Sequence, residues 1–298
     1  MGLSSDNARG SLFMVLAMAA FAIEDMFVKA AASSVSTGIV LALFGLGGML
    51  IFSGLTWRCG EKIIHRAVLS RPMLIRAVCE VVGRLFFVLA ITLTPLSSAS
   101  TILQATPLVV VLGAALLFGE KVGLQRWCAI LMGFAGVLIV LRPGFGSFEP
   151  ASLLAVIGML GFAGRDLATR AAPPVLSNRQ LGVYGFLILI PTGLVMHLYT
   201  GEAVNLDLAS SGLVAGAVIF GVVAYYALTI AMRTGDVSVV APFRYTRLLF
   251  ALFLGAVAFG EQLDTMTLAG GLIIVLSGSY TLVHNRWNRA TATQTELV

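Results

Sequence analysis

Along most of the chain the apolar residues follow no short polar alternation. They come in long blocks of roughly twenty, broken by brief polar links. At about 1.5 Å per residue, such a block spans the ~30 Å hydrocarbon core of a bilayer. Ten blocks are legible, at 11–31, 36–57, 73–94, 97–118, 124–141, 152–171, 181–199, 210–233, 237–259 and 265–284. The longest links between them are 58–72 and 200–209. The pattern predicts an all-α integral membrane protein of ten transmembrane helices. Barrel strands would read as alternating segments of about ten residues, so a β-barrel is excluded.

Composition supports this reading. Of 298 residues, 58% are apolar and 11% are charged, and the mean hydropathy is +0.97. A soluble domain is nearer a quarter charged, so this chain lacks the polar residues to surround itself with water. Its partner is the lipid bilayer, and the net charge of +5 does not point to nucleic acid. The positives are sided instead. Links on one side carry Arg58, Lys62, Arg66, Arg71, Lys121, Arg126 and Arg179, while the other side carries Lys29 and Arg142 among Glu202, Asp207, Glu261 and Asp264. The positive-inside rule then places both termini in the cytoplasm, and a bacterial inner membrane is expected. Trp57, Trp127 and Trp287 fall at that same boundary. The basic segment 58–71 is expected to lie on the inner surface. Arg9, an apolar run and Ala30 to Ala32 imitate a signal peptide, but Glu24, Asp25 and Lys29 interrupt the run, so 11–31 is read as a retained helix.

The blocks also repeat. GSLFMVLAMAAFAIEDMFVKAA (10–31) and ASLLAVIGMLGFAGRDLATRAA (151–172) share nine of 22 positions at an offset of 141, including Phe21/Phe162, Ala22/Ala163 and Asp25/Asp166. Lys29 faces Arg170. The same offset lays FGE at 118–120 on FGE at 259–261. The chain reads as two five-helix repeats, 1–145 and 146–298. Five is odd, so the second repeat is inverted. Inverted repeats around a central cavity at the bilayer midplane are the architecture of secondary transporters.

The ten helices, the doubled FGE and the APFxYxxL…FGE pattern at 241–261 resemble the drug/metabolite transporter superfamily, in its ten-helix EamA-domain branch. Within it the chain is similar to amino-acid exporters of the YddG type. The resemblance covers nearly the whole chain. It implies export of amino acids, other metabolites or drugs, through a cavity lined by the first, third, fourth, sixth, eighth and ninth helices.

Charges inside the blocks sharpen the picture, because intramembrane ionisable groups face a bundle interior or a watery cavity. Near the helix centres stand Glu24, Asp25, Glu80, Arg84, Arg165, Asp166, Arg244 and Arg247. Asp25–Lys29, Glu80–Arg84 and Asp166–Arg170 are i,i+4 pairs that can neutralise each other. The repeat-matched Asp25 and Asp166, with Lys29 and Arg170, are therefore structural or coupling charges. Glu24 and Arg165 break the repeat and are better candidates for a substrate site. Arg244 and Arg247 share a helix face and have no acid within reach on their own helix. They are expected to find Glu24, Glu80, Asp166 or a substrate carboxylate across the bundle. Pro242 predicts a kink beside them, and Pro107 one in the matching helix. Gln104, Thr106 and Tyr225 are further cavity candidates. Glu120 and Glu261 end their helices and are expected to gate or pack. Gly45, Gly48, Gly133, Gly136, Gly270 and Gly271 are expected to allow close helix contact.

Four acids balanced by four arginines suit a zwitterion such as an amino acid. A multidrug exporter or a carrier of a larger zwitterion resembling S-adenosylmethionine is the alternative. An enzyme is disfavoured: GxSxG and HExxH are missing, and His65, His197 and His284 stand apart. A GxxxxGK[ST] loop is also missing, so flux follows a substrate or ion gradient. Glu24, Asp25 or Glu80 is a candidate proton site. Cys59, Cys79 and Cys128 form no pair with metal or disulfide spacing. No metal, cofactor or obligate protein partner is expected, only a small-molecule substrate.

Overall fold

The computed structural model describes residues 2–118, 124–141, 149–201, 206–234, 241–262 and 264–277. Among these residues all regular structure is helical. α1 (Gly2–Ala31), α2 (Thr37–Arg58) and α3 (Arg71–Leu93) are the first three spans. The fourth divides into α4 (Leu96–Leu103) and α5 (Thr106–Phe118), followed by α6 (Leu124–Leu141) and α7 (Ser152–Arg170). The seventh span is α8 (Asn178–Leu187) and α9 (Leu189–Thr200), and the eighth is α10 (Leu208–Arg233). The ninth begins as a 3-10 turn, Ala241–Tyr245, and continues as α11 (Thr246–Phe259). α12 (Thr265–Ser277) is the described part of the tenth.

The described part of each predicted span thus forms a helix or two consecutive helical pieces. Segments 8–31, 37–58, 152–169, 178–200 and 208–231 are long and apolar enough to cross a membrane unaided. α3 has the length but carries a buried stripe of Arg76, Glu80 and Arg84 on one face. Large apolar side chains such as Leu50, Val195, Leu249 and Val257 are exposed on the outside, the surface that lipid tails cover.

Proline explains where spans break. Pro107 lies in the first turn of α5 and Pro191 in that of α9. A first-turn residue has no intrahelical partner for its N–H, so proline costs nothing there, while it denies the preceding turn a continuing bond. Pro242 lies in the 3-10 turn before α11. The break in the seventh span was not expected from the sequence.

The bundle is held by contacts between residues 1–145 and 146–298. α1 lies along α10, α3 along α7, and α2 against α8 and α9; α11 touches α1 and α4. The α3–α7 crossing is close because two glycines meet. A Cβ on Gly161 would lie 2.4 Å from the Gly83 nitrogen, so no side chain fits and the helix backbones approach directly. Phe52, Phe186 and Tyr225 form an aromatic cluster with ring centroids 5.7 Å apart.

The segment 59–70, which follows α2, is irregular except for one 3-10 turn, Arg66–Leu69. Polar contacts to α8 hold it. Glu61 accepts hydrogen bonds from Ser177 and Arg179, Gln180 donates to the Lys62 carbonyl at 2.7 Å, and Tyr184 donates to the Ile63 carbonyl at 2.6 Å. The Arg179 and Ser177 hydrogen bonds hold the Glu61 carboxyl below the usual carboxylate range.

Candidate substrate cleft and its closing knot

The central charges meet in one buried layer, as two separate ion pairs and one chain of them. Arg84 of α3 donates to Glu24 of α1 at 2.7 Å, and Arg247 of α11 donates to the neighbouring Asp25 at 2.5 Å. On the other flank, Arg244 donates to Asp166 of α7 at 2.8 Å. Arg165 lies 3.0 Å from Asp166 and 3.4 Å from Glu80. Arg76 lies 3.6 Å from Glu80 and also donates to Thr169 and to the Tyr225 hydroxyl. Each lone buried charge would cost several kcal/mol in lipid, and pairing with hydrogen bonds is what makes the layer tolerable. Phenyl rings add to it: Arg84 lies 4.9 Å from the Phe44 centroid, Arg165 4.8 Å from Phe162 and Arg247 5.0 Å from Phe21.

A cleft opens beside this layer, with about 530 Å³ of space free of protein atoms, its mouth included. Its charged walls are Arg84, Arg165, Arg244, Arg247 and Asp166. Gln104, Thr106 and Pro107 line it at the break between α4 and α5, and Phe21, Phe162, Leu103 and Leu228 supply apolar wall. Met18 and Phe21 line the cleft and precede Glu24 in α1, so it lies on the α1-start side of the buried acids.

The opposite side is tied shut. Glu261, in the link after α11, accepts from the Leu96 N–H at 2.7 Å, the Ser97 N–H at 3.0 Å and the Ser97 hydroxyl at 2.8 Å. These are the free donors of the first turn of α4, where a carboxylate is favoured. Lys29, at the end of α1, completes the knot, donating to Glu261 at 3.2 Å and to the Thr94 carbonyl at 2.8 Å. Gly260 makes the geometry possible. Its φ of +63° is left-handed and ends α11, turning the chain so that Glu261 points back. Burial alone would raise the Glu261 carboxyl. The bonds from Ser97 and Leu96, with Lys29 beside them, outweigh it and hold the group below the usual carboxylate range.

The model of the EamA-like transporter family matches this chain twice, over residues 8–142 and 150–283. The chain belongs to the EamA-like transporter family. It is a multi-pass membrane transporter of small molecules, not an enzyme. It is 28% identical to a riboflavin transporter of Rhizobium johnstonii, covering 94% of this chain and 92% of that one. It is 27% identical to a pseudopaline exporter of Pseudomonas aeruginosa, over 90% and 94%. It is 23% identical to an S-adenosylmethionine uptake transporter of Rickettsia prowazekii, over 69% and 70%. A crystal structure with 18% identity superposes with a TM-score of 0.64, covering 95% of this chain and 99% of that one, and shares its fold.

In this EamA-like transporter the sequence-derived candidates divide between the cleft and the wall behind it. Arg84, Arg165, Arg244, Arg247 and Gln104 line the cleft. Glu24, Glu80 and Tyr225 are buried outside its lining, Glu24 with no exposed surface. Glu80 serves Arg165 and Arg76, and the Tyr225 hydroxyl accepts from Arg76 and donates to the Leu181 carbonyl at 3.1 Å. The expected i,i+4 pairs of Asp25 with Lys29 and of Glu80 with Arg84 do not form; Glu80 takes Arg76, one turn earlier on α3, and Arg165 instead. Arg247 offers Asp25 a closer partner across the bundle, Glu24 does the same for Arg84, and Lys29 reaches the far face. The side chains of Arg170 and Pro242, and Glu120 with its FGE motif, lie outside the described residues. Arg76 was missed. Its place one turn before Glu80, in line with Arg84, was the available signal. The Lys29–Glu261–Ser97 knot had no local signal, since its members are far apart in the chain.

Proposed function

We propose that this transporter is a secondary carrier that exports amino acids or related small metabolites across a bacterial inner membrane. It works by alternating access, with 1–145 and 146–298 as two inverted five-helix repeats and both termini in the cytoplasm. The observation that carries the reading is the arginine-walled cleft at the breaks of the fourth and ninth spans, with the opposite face closed by the Glu261 knot. A site open to one side and sealed on the other is one end-state of such a cycle. The packing supports two exchangeable halves. α1 with α10 and α7 with α3 are the pairs that an exchange of halves would interconvert. The arginines hold a substrate carboxylate, and breaking the knot releases it on the far side.

The second reading is a carrier of larger metabolites. It is favoured by the relatives, whose names specify riboflavin, pseudopaline and S-adenosylmethionine and include both export and uptake.

The test is flux of labelled amino acids in proteoliposomes, for wild type, Arg244→Ala and Arg247→Ala. Saturable flux that each variant lowers by about tenfold or more is expected, the scale of one lost charge-assisted hydrogen bond. Movement of riboflavin or S-adenosylmethionine with no amino-acid flux would select the second reading. No flux of any of these solutes would sink the carrier.

A further inference from the structure

We propose that the cleft selects organic anions, whose negative charges outnumber their positive ones by at least one. The inference rests on the carrier reading above and narrows its substrate class. Counting charges along the chain suggested balance, because four central acids face four central arginines. The fold changes this in two ways. It adds Arg76 to the buried network through Glu80, so among the described side chains five guanidinium groups share the carboxylates of Glu24, Asp25, Glu80 and Asp166. It also sorts the two signs by depth. Four of the five charged residues on the cleft wall are arginines. Glu24, Asp25 and Glu80 are at most 2% exposed and stand behind them.

The sorting decides what the cleft can hold. An ammonium group needs a carboxylate it can reach. Asp166 is the acid on the cleft wall, and Arg165 and Arg244 already hold both its oxygens. A substrate cation would have to displace a guanidinium from it. A carboxylate meets the opposite situation. Each guanidinium has five donors, and four arginines line the cleft against one aspartate. The Arg165 guanidinium lies 4.8 Å from the Phe162 ring and that of Arg247 5.0 Å from Phe21 and 5.5 Å from Phe87, and a guanidinium is the group suited to bidentate carboxylate binding. The apolar wall of Phe21, Phe162, Leu103 and Leu228 fits an uncharged body behind that carboxylate.

Twin solutes that differ in charge and little else test this. Glutamate, glutamine and lysine form one set; flavin mononucleotide and riboflavin form another. Two readouts use the full-length protein: flux in proteoliposomes, and thermal stabilisation in detergent at constant ionic strength. Anions are expected to stabilise and to compete for flux at about tenfold lower concentration than their neutral twins, one charge-assisted contact's worth. Arg247→Gln should erase the preference. Arg247→Lys, which keeps the charge and packs similarly, should retain part of it and controls for misfolding. Equal or better handling of glutamine, lysine or riboflavin would overturn the anion selectivity and leave the carrier standing. Anion stabilisation without flux of any solute would support the selectivity and overturn the carrier. Neither stabilisation nor flux would overturn both.

Discussion

Asp25 and Asp166 occupy the same position in the two repeated segments, and each holds one arginine of the ninth span. Their surroundings differ. The Asp25 side chain is 1% exposed, and Arg247, its partner, lies 5.0 Å from the Phe21 ring and 5.5 Å from the Phe87 ring. The Asp166 side chain is 11% exposed, lines the cleft and is shared by Arg244 and Arg165. One aspartate is a sealed anchor and the other is part of a wall that a solute can touch. A repeat carries the backbone position of a charge from one half to the other. The neighbours decide whether that charge builds the scaffold or the site.

The largest effect should come from Asp25→Asn. It strands Arg247 among phenyl rings, and breaking a buried pair on one side costs about 3–5 kcal/mol. Thermal unfolding of the purified protein reads this. Adding Arg247→Met should return most of the loss, because the stranded charge is then gone, while flux stays abolished. An Asp25→Asn protein as stable as wild type would mean that the anchor is not one.

Asp166→Asn should cost less, about 1–3 kcal/mol, since Arg165 keeps Glu80 and Arg244 faces the cleft. The sharper difference is chemical rescue. Added glutamate can reach Arg244 through the cleft and should restore stability to Asp166→Asn. It should do less for Asp25→Asn, because Arg247 lines the cleft as well but the place of the Asp25 carboxylate behind it, 1% exposed, is closed to a solute. Equal rescue of both would break the distinction between anchor and wall.

Much of the architecture was legible in the sequence because membrane spans obey a one-dimensional rule. Apolar length and the positions of charges suffice to count them. That Arg244 and Arg247 need partners across the bundle also followed, because neither has an acid on its own helix. Which partners they take did not. Asp25 sits one turn from Lys29 in sequence, and local spacing assigns it there. Lys29 instead lies far enough along α1 to reach Glu261, 232 residues away. Local spacing is silent about competitors from other helices. The same limit hid the depth sorting of acids and arginines, since equal numbers along the chain say nothing about which sign faces the cleft.

Glu261→Gln moves the comparison from the site to its closure. The variant removes the charge that meets Lys29 and weakens the cap on α4, together about 1–2 kcal/mol, or a roughly tenfold shift toward opening. A cysteine at Ser100, buried beneath the knot, reports it in a background without Cys59, Cys79 and Cys128. Maleimide labelling should quicken about tenfold. In wild type the Glu261 carboxyl is held low, so the knot persists from neutral pH down past the ordinary glutamate pKa of about 4.3 and fails only as pH falls through the lower folded value. Labelling that rises between pH 7 and 5 would contradict this.

The smallest effect is expected outside the membrane, where Glu61 meets Arg179 and Ser177. The chemistry matches that of Asp25 and Arg247, but both side chains are more than a quarter exposed. Water screens the attraction and solvates either partner left alone, so Glu61→Gln should cost about 0.2–1 kcal/mol. Its folded carboxyl is held low. The contribution is therefore present above the unfolded pKa of about 4.3 and disappears as pH falls through the folded value. Melting curves of wild type and Glu61→Gln should differ slightly at pH 7 and converge in acid. This pair calibrates the central one. If Glu61→Gln cost as much as Asp25→Asn, burial would not be what separates the anchor from the surface, and the difference between Asp25 and Asp166 would need another cause.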